Sequence, residues 1–80
     1  DITTIRTDIY HRLYQEIALL PGKMPQIMQL SLKGLRNNEI ADLTGISEKT
    51  VRNLKTEAIK QLRTKLLKQE LLFLLILLAR

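Results

Sequence analysis

The chain has 80 residues, no cysteine and a net charge of +5. That length suits one small domain whose core is marginal unless a partner or an added helix covers more apolar surface. The missing cysteine excludes a disulfide framework and a thiolate metal site, and is compatible with a reducing, cytoplasmic setting.

In chain order, Ile5, Ile9, Leu13, Ile17 and Leu20 recur at three- and four-residue spacing, which predicts an amphipathic helix from about Thr4 to Leu20. Pro21 and Gly22 stop it. A short helix follows from about Pro25 to Lys33, because proline is tolerated in a first turn where its missing N–H has no partner. Met24, Ile27, Met28, Leu30 and Leu32 give it a broad apolar surface, and Gly34 ends it. Asn37 is the best candidate to cap the next helix.

The run from Asn38 to Leu62 has the spacing of a helix-turn-helix. Ala41 is the small residue at the helix crossing, and Gly45, four residues on, can take the positive φ that turns the chain. Ser47 stands where its side chain caps a second helix beginning near Glu48. On that helix Val51, Leu54, Ala58 and Leu62 share a buried stripe, while Lys49, Arg52, Asn53, Thr56 and Lys60 lie on another side. Arg can bond a guanine edge bidentately and Asn an adenine edge. Thr suits a thymine methyl or a phosphate, and Lys brings charge to the backbone. A plain solvated basic face is the alternative. Charge favours the DNA reading: Arg6, Arg12, Lys23, Lys33 and Arg36 balance Asp1, Asp8, Glu16, Glu39 and Asp42, so the whole net +5 lies from residue 47 onward.

From Leu71 to Ala79 the chain is apolar without interruption. A membrane span needs about 20 such residues, so this run is too short for one. If the second helix of the motif continues through Arg63, Lys65 and Lys68 into the run, its end is apolar all round and has to be buried. Three roles are open to this tail: folding back on the first helices to complete the core, self-association into a homo-oligomer, or a contact with a larger partner or a membrane surface. The expected fold is all-α, a short helical bundle containing a helix-turn-helix, with a long C-terminal helix ending in the apolar tail. Residues 1–70 form the domain and 71–80 the tail.

Catalysis has little to stand on. His11 is the only histidine, the carboxylates fall at helical surface positions with basic neighbours such as Glu48 before Arg52, and no metal cluster or phosphate-cradling glycine loop appears. Tyr10 and Tyr14 are too few to make a single-strand stacking platform. A non-enzyme without a cofactor or metal is expected.

From Leu19 to Arg63 the sequence resembles the fourth region of bacterial sigma factors of the extracytoplasmic-function group. The resemblance rests on Leu20-Pro21, Gly34-Leu35, Glu39-Ile40-Ala41, Gly45-Ile46-Ser47, Thr50-Val51, Ala58 and Leu62-Arg63. It implies a transcription initiation factor that contacts the minus-35 element of promoter DNA and docks on the flap of the RNA polymerase core, with an anti-sigma factor as a further candidate partner. Carried over by position, the promoter contacts are Lys49, Thr50, Arg52, Asn53 and Thr56. Departures are Pro25 for a common arginine, Arg36 for a common Ser or Thr cap, Thr44 at a position usually apolar, and Glu57 on the edge of the reading face. The second sigma region is missing and the chain begins at Asp1, so a piece of a longer factor is expected. The leucine-rich end also resembles sigma factors of the Bacteroidetes. A LuxR-type output domain shares the Gly-Leu pair, the Asn-x-Glu-Ile-Ala string and the Ile-Ser-Glu-Lys-Thr-Val string and is the nearest alternative. The Leu20-Pro21 start and the Ala58 to Arg63 ending favour the sigma reading. A helical self-association module with a merely solvated basic face is the third possibility.

Overall fold

The computed structural model describes the backbone of residues 2–79 and the side chains of residues 7–78. The side chains of Ile5, which opens the predicted stripe, and of Ala79, which closes the apolar run, lie outside that range, as do Asp1, Arg6 and Arg80. Five helices follow one another: α1 (Ile2–Ala18), α2 (Met24–Leu32), α3 (Asn37–Thr44), α4 (Glu48–Arg63) and α5 (Lys68–Ala79). No strand occurs among the described residues.

Each early boundary has a local cause. Helix α1 closes in a tightened turn in which the Leu19 and Leu20 N–H groups donate to the Glu16 and Ile17 carbonyls. Helix α2 begins one residue before the expected Pro25, which sits in its first turn. It ends in a Schellman arrangement: Leu35 N–H bonds Leu30 O at 3.2 Å and Gly34 N–H bonds Ser31 O at 3.0 Å, with Gly34 at φ +97°. Helix α3 corrects one expectation, since Arg36 rather than Asn37 occupies the N-cap position. An arginine side chain has no acceptor, so Glu39 reaches back instead and its Oε1 accepts from Arg36 N–H at 2.9 Å. Thr44, the departure with an unplaced hydroxyl, donates to Ile40 O at 2.6 Å and so has its partner.

The predicted long C-terminal helix is two helices. Helix α4 stops at Arg63, and the chain turns through residues 64–67 before α5 begins. Neither glycine nor proline makes this break. Thr64 Oγ1 donates to Gln61 O at 2.9 Å, Leu66 is buried beneath the turn, and Glu70 Oε1 accepts from Leu67 N–H at 2.9 Å to start α5. Glu70 is only 8% exposed and faces Arg12 of α1, whose Nε lies 3.8 Å from its Oε1. Arg12 also pairs with Glu16 at 3.6 Å and reaches Lys65 O at 3.4 Å, tying the turn to α1.

Two apolar clusters result. The larger joins Leu13 and Ile17 of α1, Met28 of α2, Ala58 and Leu62 of α4, and Leu74 of α5. The smaller lies inside the helix-turn-helix, where Ile27, Ile40 and Val51 are buried with Leu30, Leu35, Ala41 and Ile46 around them. Leu54 touches both clusters. Helix α5 therefore lies on the bundle, with Leu74 fully buried and Phe73 edge-on to Tyr10 at a centroid distance of 5.3 Å. Its opposite side is bare: Leu72 is 51% and Ile76 68% exposed. No helix among the described residues is long and apolar enough to cross a membrane.

Candidate nucleic-acid interface

The turn that aims α4 is built from backbone needs. Gly45 caps α3 at φ +74° and its N–H bonds Ala41 O at 2.9 Å. This left-handed conformation costs other L-residues a Cβ clash, so a glycine is placed there. Ile46 then tucks against the small cluster, and Ser47 takes the extended backbone of an N-cap. Its Oγ accepts from Thr50 N–H at 3.1 Å, fixing where α4 starts.

With its start fixed, α4 turns Val51, Ala58 and Leu62 inward. Lys49, Thr50, Arg52, Asn53, Thr56 and Lys60 are all exposed. Lys49, Asn53, Thr56 and Lys60 follow the helical repeat along the outward face, with Arg52 on one flank and Thr50 nearer the turn. Several of these side chains are partly engaged. Thr50 Oγ1 accepts from Ser47 Oγ at 2.8 Å, Thr56 Oγ1 donates to Arg52 O at 3.0 Å, and Arg52 lies 3.8 Å from Glu48. The last contact joins two exposed groups and is a weak restraint that a phosphate or a base edge can displace. Lys49, Asn53 and Lys60 form no hydrogen bond or ion pair with other described side chains. Glu57 is exposed on the same helix. Among the described residues no group of His, Asp and Glu is placed to hold a metal ion.

One residue in this region escaped the sequence reading. Lys55 falls between the buried stripe and the outward face, half-buried, and its Nζ donates to Asn37 Oδ1 at 2.9 Å, linking α4 to the first turn of α3. Burial holds its ammonium below the ordinary lysine value. Its helical position, one turn after Val51 and one before Ile59, was the available signal. A cleft of about 340 Å³ runs along this flank, with Arg52, Thr56 and Ile59 on one wall and Leu75 and Leu78 of α5 on the other.

Comparison with known proteins assigns the family. The family model of GerE, described as bacterial regulatory proteins of the luxR family, matches residues 23–73. No curated protein and no solved structure matches. The match corrects the resemblance to sigma region four and leaves the polymerase flap and anti-sigma partners that rested on it without support. The physical reason lies in the residues that carried the resemblance. Leu20, Ala58 and Leu62 are buried packing residues, and Gly45, Ser47 and Val51 serve the turn and the second helix. Any helix-turn-helix of this size needs such residues, so they do not separate one family from another. The matched region begins after Leu20-Pro21, the supposed sigma start, and runs through the turn into Phe73 of α5. The chain belongs to the luxR family of bacterial regulatory proteins, through a helix-turn-helix DNA-binding domain built from α2 to α5.

Proposed function

We propose that this chain is the DNA-reading output domain of a transcriptional regulator, with α4 entering the major groove and Arg52 and Asn53 bonding base edges. Lys49 and Lys60 take up phosphate charge, and Thr50 and Thr56 supply shorter contacts at the turn and mid-helix. The observation that carries the reading is the outward face of α4, which sets amide, hydroxyl and cationic groups at helical spacing beside a capped, glycine-built turn. A recognition helix meets base edges with its N-terminal part, which is where Lys49 to Asn53 lie. The charge distribution supports the same orientation, since the whole net +5 lies from residue 47 onward.

Binding to a duplex site selected from random DNA tests this. Replacing Arg52 or Asn53 by alanine is expected to cost about 1–3 kcal/mol on the selected site and much less on a scrambled duplex. Replacing Lys60 by alanine should weaken both duplexes alike and flatten the salt dependence by about one unit of slope. Equal losses on selected and scrambled DNA for Arg52 and Asn53 refute base reading by those residues.

A further inference from the structure

Between the α2–α3 corner, the middle of α4 and the end of α5 lies a cavity of about 460 Å³ that the DNA reading does not use. That volume falls in the range of about 300–1,000 Å³ typical of small-ligand sites. Its lining has two characters. Arg36 and Lys55 bring positive charge with no acidic residue among the lining groups, while Leu35, Leu77 and Leu78 supply an apolar wall. Ser31, in the same lining, is 5% exposed, and its hydroxyl has no hydrogen-bond partner. A buried hydroxyl without a partner is a standing cost to the fold. Turning toward a ligand would therefore break no existing bond. Lys55 spends one donor on Asn37 Oδ1 and keeps the rest of its ammonium donors. Arg36 uses its backbone N–H in the α3 cap, which leaves its guanidinium uncommitted to that cap.

We propose that this cavity binds a small carboxylate with an apolar tail, its head between Arg36, Lys55 and the Ser31 hydroxyl and its tail along Leu35, Leu77 and Leu78. The two cations provide charge-assisted bonds that a neutral head cannot form, and the leucines cover methylenes that a bare inorganic anion does not have. A ligand seated there touches α2, α4 and α5 at once, so it also fixes the position of α5 beside the flank of α4. The inference stands apart from the DNA-reading proposal and is tested without DNA.

Octanoate, octanol and inorganic phosphate are titrated separately into the isotope-labelled chain while backbone amide shifts are followed. Octanoate is expected to give saturable shifts at Ser31, Gly34, Leu35 and Lys55, and loss of one charge-assisted bond in Arg36→Gln or Lys55→Met is expected to weaken it about tenfold or more. Arg36→Gln keeps the backbone cap, so its far-UV spectrum should match the parent and its loss of binding reports the head group alone. Ser31→Ala should weaken octanoate while leaving the free protein as stable as before or more so, since it deletes an unpaired hydroxyl. Equal binding of octanol shows a merely apolar crevice and overturns the proposal. Equal binding of phosphate shows a simple anion site and overturns it too, as do unchanged affinities in Arg36→Gln and Lys55→Met, or shifts that fall elsewhere on the protein.

Discussion

Leu74→Ala and Ile76→Ala form a matched pair two residues apart on α5, and they separate a helix that completes the core from one that merely follows it. Leu74 is fully buried among Leu13, Ile17 and Leu62, whereas Ile76 is 68% exposed. Truncating a buried leucine costs about 2–5 kcal/mol, from lost transfer energy and the cavity left behind. For 80 residues, a stability of about 0.05–0.15 kcal/mol per residue gives about 4–12 kcal/mol in total. Leu74→Ala should therefore remove between a sixth of the stability and all of it. Ile76→Ala should change it by no more than about 0.5 kcal/mol, because its side chain is mostly in water and alanine is the better helix former. Urea denaturation followed by far-UV circular dichroism at micromolar protein measures both. Equal costs for the two variants would refute the placement of α5 on the bundle. A cost for Ile76→Ala that grows with protein concentration would instead show that its exposed side is covered by a second copy.

Three further outcomes follow from particular contacts. Glu70→Ala removes the acceptor for Leu67 N–H and the partner of Arg12, and should cost about 1–3 kcal/mol. Glu70→Gln, which keeps an acceptor, should cost less, and denaturation midpoints at parental level for both would show that Glu70 does not hold the α4–α5 turn. Gly45→Ala meets no neighbouring atom within 4 Å, so its whole cost is the backbone at φ +74°, about 1–2 kcal/mol; a neutral result in thermal unfolding would mean that the turn can take another conformation. Lys55 has its folded-state value lowered below 10.5 by burial, so in the window between that lowered value and 10.5 the unfolded chain binds more protons than the folded one. Stability of the parent relative to Lys55→Met should rise with pH across that window, and a flat difference between the two would contradict the desolvation of Lys55.

The elements most legible in the sequence were those fixed by one residue type with one backbone task. Gly45, Ser47 and Pro25 mark a left-handed cap, an N-cap and a first helical turn, and each performs that task. The inward stripe of α4 was readable for the same reason, since periodicity alone sets which side chains share a face. Where the task was distributed, the sequence misled. The α3 cap is made by Glu39 from three residues inside the helix, whereas by residue type alone Asn37 is the better side-chain acceptor. The break after Arg63 is held by Thr64 bonding Gln61 O and by Glu70 accepting from Leu67 N–H, again a cap made from three residues inside the helix, while Arg12 meets Glu70 across 58 positions of sequence. Lys55 was overlooked because a lysine between two helix faces is half-buried only when another element, here the first turn of α3, stands beside it. The family was misread because its shared residues make a turn and a core, whereas the match that decides it extends into α5.

The most direct measurement of the central claim is a map of amide shifts when the isotope-labelled chain is titrated with its selected duplex. The largest changes are expected at Lys49, Thr50, Arg52, Asn53, Thr56 and Lys60 on α4, with small effects along the buried stripe and on α1. Shifts concentrated instead on α1 or on the exposed side of α5, with α4 unmoved, would contradict it.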